Sequence, residues 1–360
     1  MKKAIIWVLV LGLLAGFLAP IISSSVSDTP GEAATFGFKE NLVVTYGKTI
    51  AIPLKITENC TNLVLKIADS VVLKIKTPKK KEIYTLNTNT LQPGAYLLDL
   101  QVTNPSGSTY STQRNLRILS NLKTERWTLK LGASFVHDTK NYTQGLTFWE
   151  GELYESTGDP NQDGSSMVAK IDINTGQVRK DGTTNFQQKL DASKFGEGIA
   201  ILNDQIYQLT WKNQQCFVYD VQTFQLKKEL SYSGEGWGLC SDGKQLIMSD
   251  GTERLTFRDP NTFQTIRSVE VYTDQGPLSQ LNELEYVDGL IYANIYTTNF
   301  VAVIEPVFGR VIALIDASNL VAAGKGSGEV LNGIAYNSRT RQLLMTGKYW
   351  PKIFEVTVQK

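Results

Sequence analysis

At 360 residues the chain exceeds one small core and calls for two domains with accessory segments. Its 42% hydrophobic and 20% charged content is that of a folded protein, and a net charge of +1 gives no pull toward nucleic acid, so no such partner is expected. A single histidine, His137, disfavours zinc hydrolases that need two or three, and Cys60, Cys216 and Cys240 define no disulfide framework.

Residues 1–22 open with Met1-Lys2-Lys3 and continue through 19 uncharged residues, 4–22, the pattern of a secretory signal. The same run is long enough to span a bilayer, so an uncleaved membrane anchor is the alternative. Export to a periplasm or the medium is expected either way, with membrane anchoring through this segment in the second case. Residues 23–34, small and polar around Pro30-Gly31, read as a linker. From 35 to 120 short alternating strands, among them 42–46, 50–56, 63–67 and 95–102, are separated by Gly47-Lys48, Pro93-Gly94 and Pro105-Ser106-Gly107. That spacing predicts a small immunoglobulin-like β-sandwich, read as a spacer or interaction module. Lys79-Lys80-Lys81 reads as a solvated hairpin tip.

Residues 121–360 repeat. Gln144, Glu197, Trp237, Asn282 and Asn332 each precede a glycine or glutamate and then an aliphatic residue, at steps of 53, 40, 45 and 50 residues. A second register follows in strands ending at Gly158, Trp211, Gly251, Tyr296 and Lys348. Intervals of about 40 to 50 residues predict a five-bladed β-propeller, so the chain as a whole is expected to be all-β. The fifth repeat ends without a fourth strand. Residues 127–135 have the length and alternation to supply it and close the ring, removing open sheet edges. Residues 177–180 are expected as the first blade's fourth strand. Asp159-Pro160-Asn161-Gln162-Asp163-Gly164 matches the first half of a calcium loop, but Lys170 stands where the bidentate glutamate belongs. A hairpin turn is the better reading, with structural calcium the alternative.

The first strands of propeller blades line one channel, so Gln144, Glu197, Trp237, Asn282 and Asn332 should face one mouth, with Trp211, Tyr296 and Lys348 one step outward and Tyr142 and Phe195 beside them. Convergent polar groups among aromatics suit a ligand pocket. Trp211, Trp237 and Tyr296 read equally well as packing between blades, and the amides as caps of strand ends. Glu197 stands apart: between Gly196 and Gly198 and next to Phe195, it is presented on bare backbone and partly desolvated, which raises a carboxyl pKa toward useful proton transfer.

Asn141-Tyr142-Thr143-Gln144-Gly145-Leu146, Phe195-Gly196-Glu197-Gly198-Ile199, Gly236-Trp237-Gly238-Leu239, Leu281-Asn282-Glu283-Leu284, Leu331-Asn332-Gly333-Ile334 and Thr346-Gly347-Lys348-Tyr349-Trp350-Pro351 together resemble the plant and bacterial type of glutaminyl cyclase. The resemblance runs in order from about residue 137 to 356 and leaves out 1–120. It implies a five-bladed propeller that converts N-terminal glutamine of peptides or proteins to pyroglutamate with release of ammonia. It also implies no required cofactor. The family's active-site positions fall on Gln144, Phe195, Glu197, Trp211, Trp237, Asn282, Tyr296 and Lys348, and Tyr142 and Asn332 are additional pocket candidates. Tyr142 stands where the family more often has phenylalanine and Tyr296 where it more often has tryptophan. Glu197 is the expected acid/base, the aromatics a cage for the folded glutamine, and a monomer is expected. Two other readings are carried forward: a metal-dependent, lactonase-like propeller hydrolase with calcium on Glu197, Asn282 and Asn332, and a non-enzymatic secreted scaffold.

Overall fold

A computed structural model describes residues 34–39, 41–182 and 184–360. The expected signal or anchor, 1–22, and all of the linker except Ala34 lie outside the described residues. Among the described residues no helix is long and apolar enough to cross a membrane. The described residues are all-β, with 58% in strands and 3% in helix. Its described residues divide into two compact units, one of 34–39, 53–83 and 98–114, the other of 41–52, 84–97 and 115–360.

Strands of the first unit show the period-two burial that a half-covered sheet imposes. In Asn62–Ile67 the side chains of Leu63, Leu65 and Ile67 are buried and those between them are partly exposed. This strand pairs antiparallel with Ser70–Lys76 on one side and with Gly94–Thr103 on the other. Ala34–Phe36 pairs antiparallel with Thr49–Ile56, which belongs to a separate three-stranded sheet with Lys81–Asn87. The lysine run therefore does not cap a hairpin. It enters Lys81–Asn87 from Ser70–Lys76, a strand of the other sheet.

In the second unit five runs of antiparallel strands follow one another. Burial falls from first strand to last. Gly196–Leu202 is buried at every residue because both of its faces are covered, whereas Leu226–Ser231, the fourth strand of the same run, has no fully buried residue. Alternation in an outer strand such as Arg310–Asp316 follows from its single covered face, while the first strands bury polar as well as apolar residues. The other first strands are Thr143–Trp149, Leu239–Ser241, Leu281–Val287 and Leu331–Asn337. Each packs beside the next, and Leu331–Asn337 returns to Thr143–Trp149, so the contacts run round a closed circuit. Glycine permits this approach. A Cβ on Gly198 would lie 2.5 Å from the Leu239 nitrogen, and one on Gly238 would lie 2.0 Å from the Asn282 carbonyl oxygen.

Glu125–Val136 pairs antiparallel along Lys352–Gln359, taking the fourth position of the last run as its length and alternation predict. Its first residues also pair in parallel with Ala313 to Asp316 of the preceding run, joining two runs into one eight-stranded sheet. The first run departs from expectation. Only Gln177–Val178 pairs with Met167–Asp172 where a strand over 177–180 was predicted, and Gln187–Lys189 pairs with the other half of the same edge. Between them Lys180–Asp181 and Thr184–Asn185 form a small ladder of their own, so the edge is covered in two pieces. A short helix, Ser318–Gly324, precedes the last run and buries Leu320 in a cluster with Trp350 and Phe354.

Candidate active site

The positions singled out by the repeat lie at breaks in the inner ladders. Pairing of the first strand with the second skips between Thr143 and Gly145, between Gly196 and Ile199, between Leu281 and Leu284, and between Leu331 and Ile334. A bulge frees its extra residue from the ladder and re-aims the side chain, which is why Gln144, Glu197 and Asn282 can turn toward one another at one end of the strands. Trp237 sits just ahead of its own strand, its N–H bonded to the Ser249 carbonyl at 3.1 Å.

Gln144, Glu197, Trp237 and Asn282 line a cavity of about 120 Å³ together with Tyr142, Trp211, Tyr296 and Lys348. Two of the predicted residues stand elsewhere. Phe195 lies behind the wall, its ring 6.0 Å from that of Tyr142 and 5.7 Å from that of Trp211, and lines an adjoining cavity of about 520 Å³ that shares Tyr142 and Trp211 with the first. Asn332 is fully buried and does not line the small cavity. Its amide N–H group donates to the Thr143 carbonyl at 2.9 Å and to Gln144 Oε1 at 3.3 Å, so it orients Gln144 from behind, while its Oδ1 is buried without a hydrogen-bond partner.

Gln144 in turn donates from Nε2 to Glu197 Oε1 at 3.0 Å. Burial raises the Glu197 pKa well above the carboxylate range; Lys348 opposes this and Glu235 adds to it. Lys348 is 2% exposed, and burial pulls its pKa down to about 8 against the opposing charges of Glu197 and Glu329. Its ammonium lies 4.3 Å from the centre of the Tyr142 ring and 5.4 Å from that of Tyr296, contacts that partly replace lost hydration. The aromatic walls brace each other: Trp237 meets Tyr296 edge-on at 5.5 Å and Tyr142 meets Tyr349 at 5.1 Å. Asn282 Oδ1 is buried without a protein partner.

Glu283 and Glu285, the neighbouring carboxylates, are spent on the framework. Glu283 accepts the N–H of Leu146 at 3.1 Å and of Ile334 at 3.0 Å, tying two runs across the circuit, and Glu285 accepts the N–H of Tyr336 at 2.9 Å. His137 is structural too. Its Nε2 lies 3.0 Å from Glu155 Oε1 and its Nδ1 2.7 Å from the Trp350 carbonyl. Burial would lower its pKa, but the Glu155 charge and these hydrogen bonds outweigh that and raise it. Glu155 also takes hydrogen bonds from Asn141 and Thr143, both at 2.7 Å, fixing the chain on either side of Tyr142. In the expected turn, Asp159 receives the backbone N–H groups of Asp163, Gly164 and Ser165 and the Ser165 hydroxyl, so the loop's own donors occupy its carboxylate.

One contributor was not predicted. Glu235 Oε2 accepts the indole N–H of Trp211 at 2.8 Å and of Trp237 at 3.0 Å. Its signal in the sequence is Gly234-Glu235-Gly236, the same glycine-flanked glutamate seen at Glu197, placed just ahead of Trp237. A further cavity of about 600 Å³ opens at the other end of the first strands among residues such as Thr147, Ala200, Ser241 and Asn337 and holds none of the predicted site residues.

Residues 102–358 match the glutamine cyclotransferase family. The chain is 34% identical over 238 residues to a glutaminyl-peptide cyclotransferase of Arabidopsis thaliana, an alignment covering 64% of this chain and 72% of that protein. It also superposes on the crystal structure of Myxococcus xanthus glutaminyl cyclase with a TM-score of 0.60 and 34% identity, covering 66% of this chain and 99% of the other.

Proposed function

The chain belongs to the glutamine cyclotransferase family, and from that premise and the cavity's chemistry we infer that it is a glutaminyl-peptide cyclotransferase converting N-terminal glutamine to pyroglutamate with release of ammonia. The observation that carries the chemical reading is Glu197: a buried carboxyl with a raised pKa, held by Gln144 in a small, aromatic-walled cavity.

Cyclisation is intramolecular. The α-amine, with a pKa of about 7.7 to 8.0, attacks the side-chain amide carbon; a C–N bond forms, the carbonyl oxygen takes the electron pair, and the carbon–ammonia bond breaks as the carbonyl reforms. Trp211, Trp237 and Tyr296 hold the side chain folded toward the amine, the orientation effect that makes such closures fast. Glu197 accepts the amine proton and returns it to the departing nitrogen, a task suited to a carboxyl whose pKa burial has raised well above the ordinary carboxylate range. The Lys348 ammonium and the Gln144 amide are placed to hold the substrate carbonyl as it gains charge, while the free Oδ1 of Asn282 accepts from a substrate N–H. The remaining peptide leaves past Tyr142 and Trp211 into the adjoining cavity. No cofactor is needed in this scheme.

We propose the same assignment for the rest of the chain: a five-bladed propeller over 121–360, an immunoglobulin-like sandwich over 35–120 serving as a spacer or interaction module, and export through the leader at 1–22. The closed circuit of first strands and the pairing of Glu125–Val136 with Lys352–Gln359 support the propeller. A peptide beginning with glutamine tests the activity. Ammonia release insensitive to chelator, with loss of the free amine, is the expected result. Chelator-sensitive ester cleavage without cyclisation would favour the hydrolase reading, and no turnover of either kind would favour a scaffold.

A further inference from the structure

We propose that Glu235 is a positioning residue that locks the two tryptophan walls of the cavity together through a single shared acceptor oxygen. The proposal rests on the cyclisation reading above and names a part of that site which neither the repeat nor the family resemblance supplied.

Trp211 and Trp237 come from different runs of sheet, one at the end of a second strand and the other ahead of the next first strand, so no ladder fixes one indole against the other. Glu235 lies on the loop between those runs. Both indole N–H groups converge on its Oε2, at 2.8 and 3.0 Å. A carboxylate oxygen has two acceptor sites, so one atom satisfies both donors. The loop is itself anchored to the Trp211 end: the Gly236 N–H donates to the Trp211 carbonyl at 3.0 Å, and the Tyr232 hydroxyl donates to the Thr210 carbonyl. Gly236 must stay bare, because a Cβ there would lie 2.2 Å from the Tyr232 hydroxyl oxygen. Lys212 faces the other carboxylate oxygen at 4.0 Å and stacks over the Trp211 ring at 3.9 Å, closing the outer side of the cluster. With Phe195 against one indole and Tyr296 against the other, each ring is braced by an aromatic neighbour on its own side, and Glu235 is the link between them.

Two conservative substitutions separate reach from charge. Glu235→Gln keeps the length and a carbonyl oxygen that can accept both indole N–H groups, while removing the charge. Glu235→Asp keeps the charge but is one methylene too short to reach both donors without moving the loop. If the clamp positions the cage, kcat/KM for a glutaminyl peptide falls at least about tenfold in the aspartate variant, with KM raised, and stays within about threefold of wild type in the glutamine variant. The glutamine variant should also move the acidic limb of the pH profile downward, because the Glu235 charge disfavours ionisation of Glu197. Near-ultraviolet circular dichroism without substrate gives a readout independent of turnover: the tryptophan bands change in the aspartate variant and persist in the glutamine one. Wild-type kinetics in the aspartate variant, or equal losses in both, would overturn the proposal. Unchanged tryptophan bands in the aspartate variant would do the same even if the protein catalysed some other reaction.

Discussion

Replacing Glu197 by glutamine tests the chemistry most directly. The amide is nearly isosteric and keeps a carbonyl oxygen for the Gln144 Nε2 donor now at 3.0 Å, so the cavity should retain its shape. What disappears is the ability to take and return a proton, worth about a hundredfold to ten-thousandfold. At the lower bound this is about 2.7 kcal/mol of barrier, all of it in the chemical step. We therefore expect kcat to fall at least about a hundredfold in an ammonia-release assay with a glutaminyl peptide. KM should move far less, since the aromatic walls and Lys348 are untouched. The pH profile supplies the sign. Wild-type activity needs the carboxylate, so it is lost as pH falls through the Glu197 pKa, which burial places well above the ordinary carboxylate range. That acidic limb should vanish in the glutamine variant, leaving the limbs of the substrate amine and of Lys348. Near-wild-type turnover by Glu197→Gln would refute the assignment and leave Glu283 and Glu285, both engaged with backbone N–H groups, as the carboxylates to test.

Lys348, held near a pKa of about 8, loses its ammonium as pH rises through that value, so kcat should decline above about pH 8; Lys348→Arg, which stays protonated, should move this limb beyond pH 10. An identical alkaline limb in the arginine variant would show that Lys348 does not carry it. Glu285 is raised from 4.5 to about 8, so its proton-linked stabilisation is complete below 4.5 and is lost as pH rises through about 8. The thermal midpoint should fall by several degrees between pH 5 and pH 9 and fall less in Glu285→Gln; a parallel decline in both proteins would contradict this. Ala192→Trp, at an exposed position lining the 520 Å³ cavity, should lower kcat/KM for peptides of four or more residues about tenfold while leaving glutaminamide turnover unchanged. Equal effects on both substrates would place the peptide's exit elsewhere.

The site register was legible because it recurs at a regular interval along the second unit. Trp237 stands just ahead of its strand, whereas Gln144, Glu197 and Asn282 fall at the same break in the inner ladder. Asn332 shares it as well, yet its amide is captured by the Thr143 carbonyl, a contact between sequence-distant strands that spacing alone cannot reveal. Glu235 escaped for the opposite reason. It sits on a connecting loop outside the repeating registers, and its role depends on two indoles from different runs arriving at one oxygen. The divided edge of Met167–Asp172 was equally hidden, because Gln177–Val178 is too short to announce that a second segment, Gln187–Lys189, will take over the remaining pairing.

The strand Glu125–Val136 has a consequence for the order of events in folding. Its partners are Lys352–Gln359 and the end of Arg310–Asp316, so this strand, made before both, has nothing to pair with until those residues have followed it. Val136 and Lys352 are paired across more than two hundred residues, and closing so long a loop carries an entropic cost before any contact compensates it. The intermediate runs can form their local ladders during synthesis, but the circuit of inner strands stays open at one seam. Until that seam closes, an unpaired amphipathic strand and two sheet edges remain exposed, and during this interval a protein of this design depends most on chaperones or dilution to avoid pairing with another copy of itself.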